Sequence, residues 1–161
     1  MKWKWLVFLS LGLAACTGRT PAQVTTPLPP LPTFELTLVQ QGKEVYQANC
    51  ATCHGVNAEG APKWATPGPD GLHPAPPHDD NGHTWHHSDR VLYETIIGGM
   101  GDPLKPGSPL RMPAFGDRLS DAEIRAVIEY FKSLWNEEHR RWQWEETRKD
   151  FAPTPTPWRN K

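Results

Sequence analysis

The chain has 161 residues, which is room for one domain. Its 17 basic and 18 acidic side chains give a formal net charge of −1, so no basic excess is present to neutralise the phosphates of a nucleic acid. The 18 prolines are about twice the usual share of ~5%. This composition excludes nucleic acid as the expected partner and predicts a protein with few, interrupted helices.

The first segment, residues 1–15, has the pattern of a secretory signal. Lys2 and Lys4 precede a short apolar stretch that ends in Leu-Ala-Ala before Cys16. A membrane-spanning helix needs ~20 apolar residues, whereas a charged start, a short apolar core and small residues before a cleavage point are typical of an exported protein. The ending resembles a bacterial lipobox, which implies that Cys16 is lipidated and becomes the first mature residue. An ordinary signal peptide cut near Ala15 is the alternative.

Residues 16–37 are rich in Thr and Pro and carry almost no charge. Such a stretch cannot bury enough surface to fold, and its prolines stiffen it. We therefore expect a tether that connects the lipid on Cys16 to a domain and holds that domain at a distance from the membrane. This arrangement predicts a location on the outer face of a bacterial cytoplasmic membrane, on the periplasmic side.

Proline-free windows remain further along the chain, and since proline breaks helices, the helices are expected there. In the first window, small and apolar residues from Leu38 to Asn49 share one helical face. The middle window offers Ser88 as an N-cap, and its helix ends at the Gly98-Gly99 pair. The last window begins with a capping box at Ser120, and an apolar stripe follows as far as Trp135. The sequence thus predicts an all-α domain with three core helices.

The segment with a chemical signature is Cys50-Ala51-Thr52-Cys53-His54. A C-x-x-C-H pentapeptide is typical of covalent c-type haem attachment. Cysteines three apart lie on one helical turn, so both sulfurs reach the two vinyl groups of one haem edge. His54 then faces the iron from the same turn as its proximal ligand. With Cys16 assigned to the lipid, we expect one covalently attached haem c per chain.

The cysteine pair has three alternative interpretations: a thioredoxin-like redox pair, a zinc site and a structural disulfide. A redox pair is expected at the end of a strand in a βαβ pattern, whereas here a predicted helix precedes the motif. A zinc site needs a second Cys or His pair at fixed spacing. Export before haem attachment also agrees with the signal at the N-terminus.

The chain here resembles the class I c-type cytochromes, over about residues 38–135. The residues that carry the resemblance fall in three stretches: Gly42, Tyr46 and Cys50 before the haem motif, Arg111-Met112-Pro113-Ala114-Phe115, and Leu119 to Trp135. The second stretch is similar to the loop that supplies the other axial ligand, a Met, and the third to the C-terminal helix of the family. The resemblance implies the class I cytochrome c fold around one haem and the function of an electron carrier, with no catalytic residue and no small-molecule substrate.

Met112 is the candidate for the sixth iron ligand. Met1 leaves with the signal, and prolines brace the segment around Met112, so that this loop loses less entropy in holding its sulfur at the metal. Met100 follows two glycines directly and is the alternative ligand, although it is also suited to fill a gap in the core. A His ligand is a further alternative. A His54/Met112 pair raises the reduction potential and leaves no open iron site.

These inferences predict a lipid-anchored monohaem cytochrome c that passes single electrons between respiratory or photosynthetic complexes, with redox proteins as donor and acceptor. One alternative is a fixed haem c subunit of a larger dehydrogenase, oxidase or quinol-oxidising complex. A haem sensor or peroxidase with an open iron is a third possibility, against which the Met112 loop argues.

Two further segments carry less specific signals. Five histidines crowd the loop between His73 and His87, where we expect contacts to haem propionates, with Trp85 as a candidate indole donor; a copper or zinc site is the alternative. Residues 136–161 are charged and rich in Trp, and their i,i+4 ion pairs favour a helix. This extension is expected either to fold over its own domain or to continue outward as an arm that docks to a membrane complex.

Overall fold

The computed structural model describes residues 29–101 and 111–150. Its helices are α1 (Leu36–Asn49), α2 (Ala51–His54), α3 (Asp89–Gly98), α4 (Asp121–Ser133) and α5 (Glu137–Asp150), with one 3-10 turn at Thr84–His86. Within these ranges the only extended pairing is a single antiparallel bridge, and no helix has the length and apolar character needed to cross a bilayer. The predicted signal, Cys16 and most of the predicted tether lie outside the described residues. The all-α fold with three core helices, α1, α3 and α4, is confirmed.

The core is built where α1 crosses α4 at Gly42. A Cβ atom on Gly42 would lie 1.8 Å from the carbonyl oxygen of Ala126 and 3.0 Å from Cβ of Tyr130. Gly42 and Tyr46 are the buried residues of α1, so the face predicted from their spacing is the one that packs. This close crossing determines where the end of α1 lies.

The predicted N-caps form at the first turns of α3 and α4. The Ser88 hydroxyl accepts from the Val91 N–H at the start of α3. At the start of α4, Ser120 and Glu123 form a complete capping box, in which each side chain accepts from the other residue's backbone N–H. These contacts satisfy N–H groups that have no partner inside the helix.

The charged extension forms α5, which packs on its own domain. Gln143 is 2% exposed, and its side-chain amide donates to Asp89 Oδ1 at 2.6 Å. The His139 ring stacks on Trp85 at 3.8 Å between centroids, and its Nδ1 lies 2.8 Å from Asp80 Oδ1. Of the two arrangements predicted for the extension, the described part adopts the folded-over one and does not form an outward arm.

The other face of α5 holds the chain that leads into α1. The Arg140 guanidinium lies over the Phe34 ring at 3.9 Å and donates to the Pro32 carbonyl at 2.8 Å. Arg141 donates to the Pro29 carbonyl at 3.2 Å. The described last part of the predicted tether therefore lies against α5, because two arginines provide partners for its carbonyls and its aromatic ring.

Candidate functional site

The C-x-x-C-H motif is folded as one helical turn directly after α1. The Cys50 N–H donates to the Tyr46 carbonyl at 2.8 Å, and the N–H groups of Cys53 and His54 both donate to the Cys50 carbonyl, at 3.1 and 3.0 Å. This turn brings both thiols and the imidazole together, as the spacing predicts. The α1–α4 crossing positions the turn, because the turn continues α1 without a loop.

The Cys50 thiol lacks the lowered pKa of a redox-active cysteine. Both thiols are free, Cys50 half-buried and Cys53 exposed. Burial, with a smaller contribution from Cys53, raises the pKa of the Cys50 thiol to about 11. A redox-active cysteine requires a lowered thiol pKa, so the thioredoxin-like interpretation finds no support here.

His54 is oriented by a backbone carbonyl that lies far along the chain. Its side chain is 8% exposed, and Nδ1 lies 2.8 Å from the Pro76 oxygen. A carbonyl oxygen can only accept, so Nδ1 carries the proton and Nε2 keeps its lone pair. Burial lowers the pKa of His54, although the Pro76 hydrogen bond opposes this effect. The result is a neutral, oriented imidazole of the kind that binds haem iron.

Tyr46 joins α1 to the far end of the motif. Its ring is completely buried, and its hydroxyl donates to the Gly55 carbonyl at 2.6 Å. Burial raises the pKa of Tyr46 far above its ordinary value, so the hydroxyl stays protonated and remains a donor. The peptide that follows His54 is thereby held against the helix that precedes it.

His78 packs behind the candidate proximal ligand. Its ring stacks on His54 and on Phe131, at 4.2 Å between centroids in both cases. The Thr84 hydroxyl donates to the Pro77 carbonyl at 3.2 Å, which leaves its oxygen to accept from His78 Nδ1 at 2.9 Å. Burial is the main cause that holds the pKa of His78 well below its usual value. His78 therefore serves as a neutral packing partner for His54.

Two aromatic side chains of the histidine loop pair with backbone carbonyls. Trp85, the candidate donor to a propionate, donates its indole N–H to the Gly82 carbonyl at 3.1 Å in this structure. His73 pairs with the Trp64 carbonyl at 3.0 Å. The described parts of the chain hold no group of three His, Cys, Asp or Glu side chains placed to bind a metal ion, and the copper or zinc alternative gains no support.

Met112 lies on a separate segment that is fixed to the end of α3. Phe115 donates its N–H to the Ile96 carbonyl at 3.0 Å, and the Met112 side chain is partly buried against the core. Met100, in contrast, is 51% exposed. Gly99, at φ +69°, would place a Cβ atom 2.5 Å from the Met112 carbonyl oxygen. Of the two methionines, Met112 is the one packed against the interior.

These donors fit a covalently bound haem. Two free thiols share one helical turn with a neutral imidazole whose Nε2 is available, and a thioether lies on a different segment. The sequence motif predicts both cysteines and His54. The motif does not reveal the roles of the Pro76 carbonyl or the His78 ring, because neither lies near it in the chain. The one signal in the sequence is the crowding of histidines and prolines in the loop that contains these two residues.

The cytochrome c family profile matches residues 39–135, a range that includes the haem motif and Met112. The chain is 35% identical over 96 residues to the cbb3-type cytochrome c oxidase subunit CcoP of Azospirillum sp. (strain B510), covering 60% of this chain and 28% of that subunit.

The subunit FixP of the same oxidase type from Azorhizobium caulinodans is 32% identical over 98 residues, which cover 59% of this chain and 27% of the relative. The chain thus spans little more than a quarter of the length of these relatives. Among solved structures, cytochrome CL from Methylophaga aminisulfidivorans MPT is similar with 23% identity and a TM-score of 0.46, covering 76% of this chain and 71% of that one.

Proposed function

Because the chain belongs to the cytochrome c family, we propose that it is a membrane-anchored monohaem cytochrome that transfers single electrons between respiratory or photosynthetic complexes. Its fold is that of the class I c-type cytochromes, and its cofactor is haem c. Haem c supplies a one-electron ferric/ferrous couple when bound. Redox proteins are therefore its donor and acceptor.

The ligand assignment proposed here gives Cys50 and Cys53 to the haem vinyl groups and His54 and Met112 to the iron. The observation that carries it is the His54–Pro76 bond at 2.8 Å, which leaves Nε2 unprotonated beside two free thiols on the same turn. The Pro76 carbonyl orients the ring, as second-sphere partners of metal-binding histidines commonly do.

The residues around His54 keep this ligand from moving. Phe131 and the neutral His78 form a stack behind its ring, and Tyr46 holds the following peptide. A ligand that is already oriented and dry reorganises little when the iron changes its charge, which favours fast electron transfer. The Met112 thioether favours the ferrous state and raises the potential.

Optical spectroscopy of the purified holoprotein tests this ligation. We expect a low-spin ferric spectrum with a thioether charge-transfer band, and no response of the ferrous form to carbon monoxide. A high-spin spectrum or rapid carbon monoxide binding would show an open iron and move the function to sensing or peroxide chemistry.

The membrane anchor is proposed from the lipobox-like sequence that ends at Cys16. A protein with two or more acyl chains stays on the membrane stably, which would confine the carrier to the outer face of the cytoplasmic membrane. Mass spectrometry of the mature N-terminus tests the anchor. A lipidated Cys16 is expected, and an unmodified start at Thr17 would disprove it.

The relatives favour a second candidate function, that of a fixed haem c subunit in an oxidase complex, since both are named as subunits of cbb3-type cytochrome c oxidase. Purification from membranes in mild detergent separates the two functions. A fixed subunit co-purifies with the complex in a constant ratio, whereas a mobile carrier separates from it as salt rises.

A further inference from the structure

The two methionines that follow α3 are direct partners across an antiparallel bridge. The Met100 N–H donates to the Met112 carbonyl at 2.9 Å, and the Met112 N–H donates to the Met100 carbonyl at 3.1 Å. Residues that exchange both bonds have Cα atoms about 5.5 Å apart and side chains on the same face of the pair. The two thioethers therefore start from neighbouring points and leave the backbone on the same side.

The two side chains differ in how tightly they are held. Met112 is partly buried against the core, and the Phe115 bond to α3 fixes the chain just after it. Met100 is 51% exposed and lies between Gly99 and Gly101. The unbranched Met side chain has three rotatable bonds, so the Met100 sulfur can change position while the bridged backbone stays in place. The Met100 side chain is therefore the less restrained of the two, and it starts beside Met112.

From this pairing we propose that Met100 is a reserve axial ligand, whose thioether binds the iron when Met112 does not. The inference rests on the proposed His54/Met112 ligation. The exchange is a ligand substitution: the bond from one sulfur to the iron breaks, the bond from the other forms, and no electron or proton is transferred. Because both groups are thioethers, the ligand type and its effect on the potential are kept.

A reserve thioether protects the function of the carrier. An iron that loses its sixth ligand offers an open position to carbon monoxide, oxygen or peroxide, and ceases to be a simple electron carrier. With Met100 beside Met112, loss of one sulfur bond leaves the iron six-coordinate. The bridge holds the second ligand ready through its two backbone hydrogen bonds.

Holoproteins carrying Met112→Ala, Met100→Leu and both substitutions test the proposal by two readouts, the ferric thioether band and the rate of carbon monoxide binding to the ferrous form. We expect Met112→Ala to keep the band and the double variant to lose it. Carbon monoxide binding to Met112→Ala should be slower than to the double variant by about tenfold or more, since only the fraction with a detached Met100 can bind it. Met100→Leu, which keeps the size of the side chain, should keep the band but bind carbon monoxide faster than the wild type, because no second thioether replaces Met112 when its sulfur detaches.

The outcomes distinguish a failure of the reserve-ligand proposal from a failure of the His54/Met112 ligation on which it rests. A Met112→Ala protein that lacks the band and binds carbon monoxide as fast as the double variant disproves the reserve ligand and leaves Met112 as the ligand. Loss of the band in Met100→Leu alone makes Met100 the primary ligand and overturns both assignments. A wild type without the band disproves the His54/Met112 ligation itself. If Met112→Ala does not hold haem, Met112→Val, which preserves more of the packing, replaces it in the same comparison.

Discussion

Gly42 on α1 lies directly against the carbonyl oxygen of Ala126 on α4, with only 1.8 Å between that oxygen and the place where a Cβ atom would stand. This contact matters for function because α1 leads directly into the turn that holds the haem motif. A side chain here would push the two helices apart and shift the motif with them.

We therefore expect Gly42→Ala to lower the free energy of unfolding of the holoprotein by about 3 kcal/mol, at the upper end of overpacking effects. Gly98→Ala is the matched control, since nothing lies within 4 Å of a Cβ atom there, and it should be neutral or slightly stabilising. Urea denaturation followed by circular dichroism measures both. Equal stability of the two variants would contradict the close crossing.

Gly99 is the residue through which α3 positions the Met112 segment. An alanine at Gly99 would need a positive φ with an extended ψ, a region almost restricted to glycine that costs roughly 1–3 kcal/mol, and its Cβ would press on the Met112 carbonyl at 2.5 Å. We expect Gly99→Ala to weaken the thioether band of the ferric protein. The neighbouring Gly98→Ala should leave the band unchanged, and if the two variants have identical spectra, Gly99 does not position the ligand loop.

Gln143 links α5 to the start of α3. Its amide is buried and bonds to Asp89 and to the carbonyl of His87, so Gln143→Ala should cost about 1–3 kcal/mol by leaving these acceptors without a donor. Gln40→Ala is the control, because Gln40 is exposed and bonds only to Glu44. The haem spectrum should stay unchanged in both. Thermal melting checks the difference, and a Gln143 variant as stable as the control would mean that α5 adds little to the domain.

The free energy of unfolding is expected to depend on pH, in part through two loop histidines. Burial is the main cause that lowers the pKa of His83 and of His87 below the usual 6.5. As the pH falls through 6.5, the unfolded chain binds protons that the folded chain does not yet bind, so stability is lost toward acid. Above that pH both states are neutral at these positions and the effect vanishes.

The urea midpoint should therefore be lower at pH 5.5 than at pH 7.5, and the drop should be smaller in His87→Gln, because the glutamine removes one of the groups whose pKa folding lowers. The comparison uses the drop within each protein, so any change in stability at pH 7.5 cancels. An identical drop in the variant and the wild type would show that His87 titrates alike in the folded and unfolded chains.

The cofactor class and the three core helices could be read from the sequence because their signals are local. The cysteine and histidine spacing within 50–54, the caps at Ser88 and Ser120, and the Gly98-Gly99 stop each act over a few residues. A short segment that adopts one helical turn presents the same side chains whatever surrounds it. Local signals of this kind are therefore sufficient to predict the helices.

Tertiary structure alone decided which groups support the site. The Pro76 carbonyl lies 22 residues beyond His54, and the extension packs on Trp85 and Asp89 because His139 stacks on the ring and Gln143 donates to the carboxylate. Met100 and Met112 are paired by backbone bonds that no side-chain pattern encodes. Contacts between residues distant in the chain depend on how all the elements pack at once, and this packing determined the orientation of His54, the path of α5 and the neighbour of Met112.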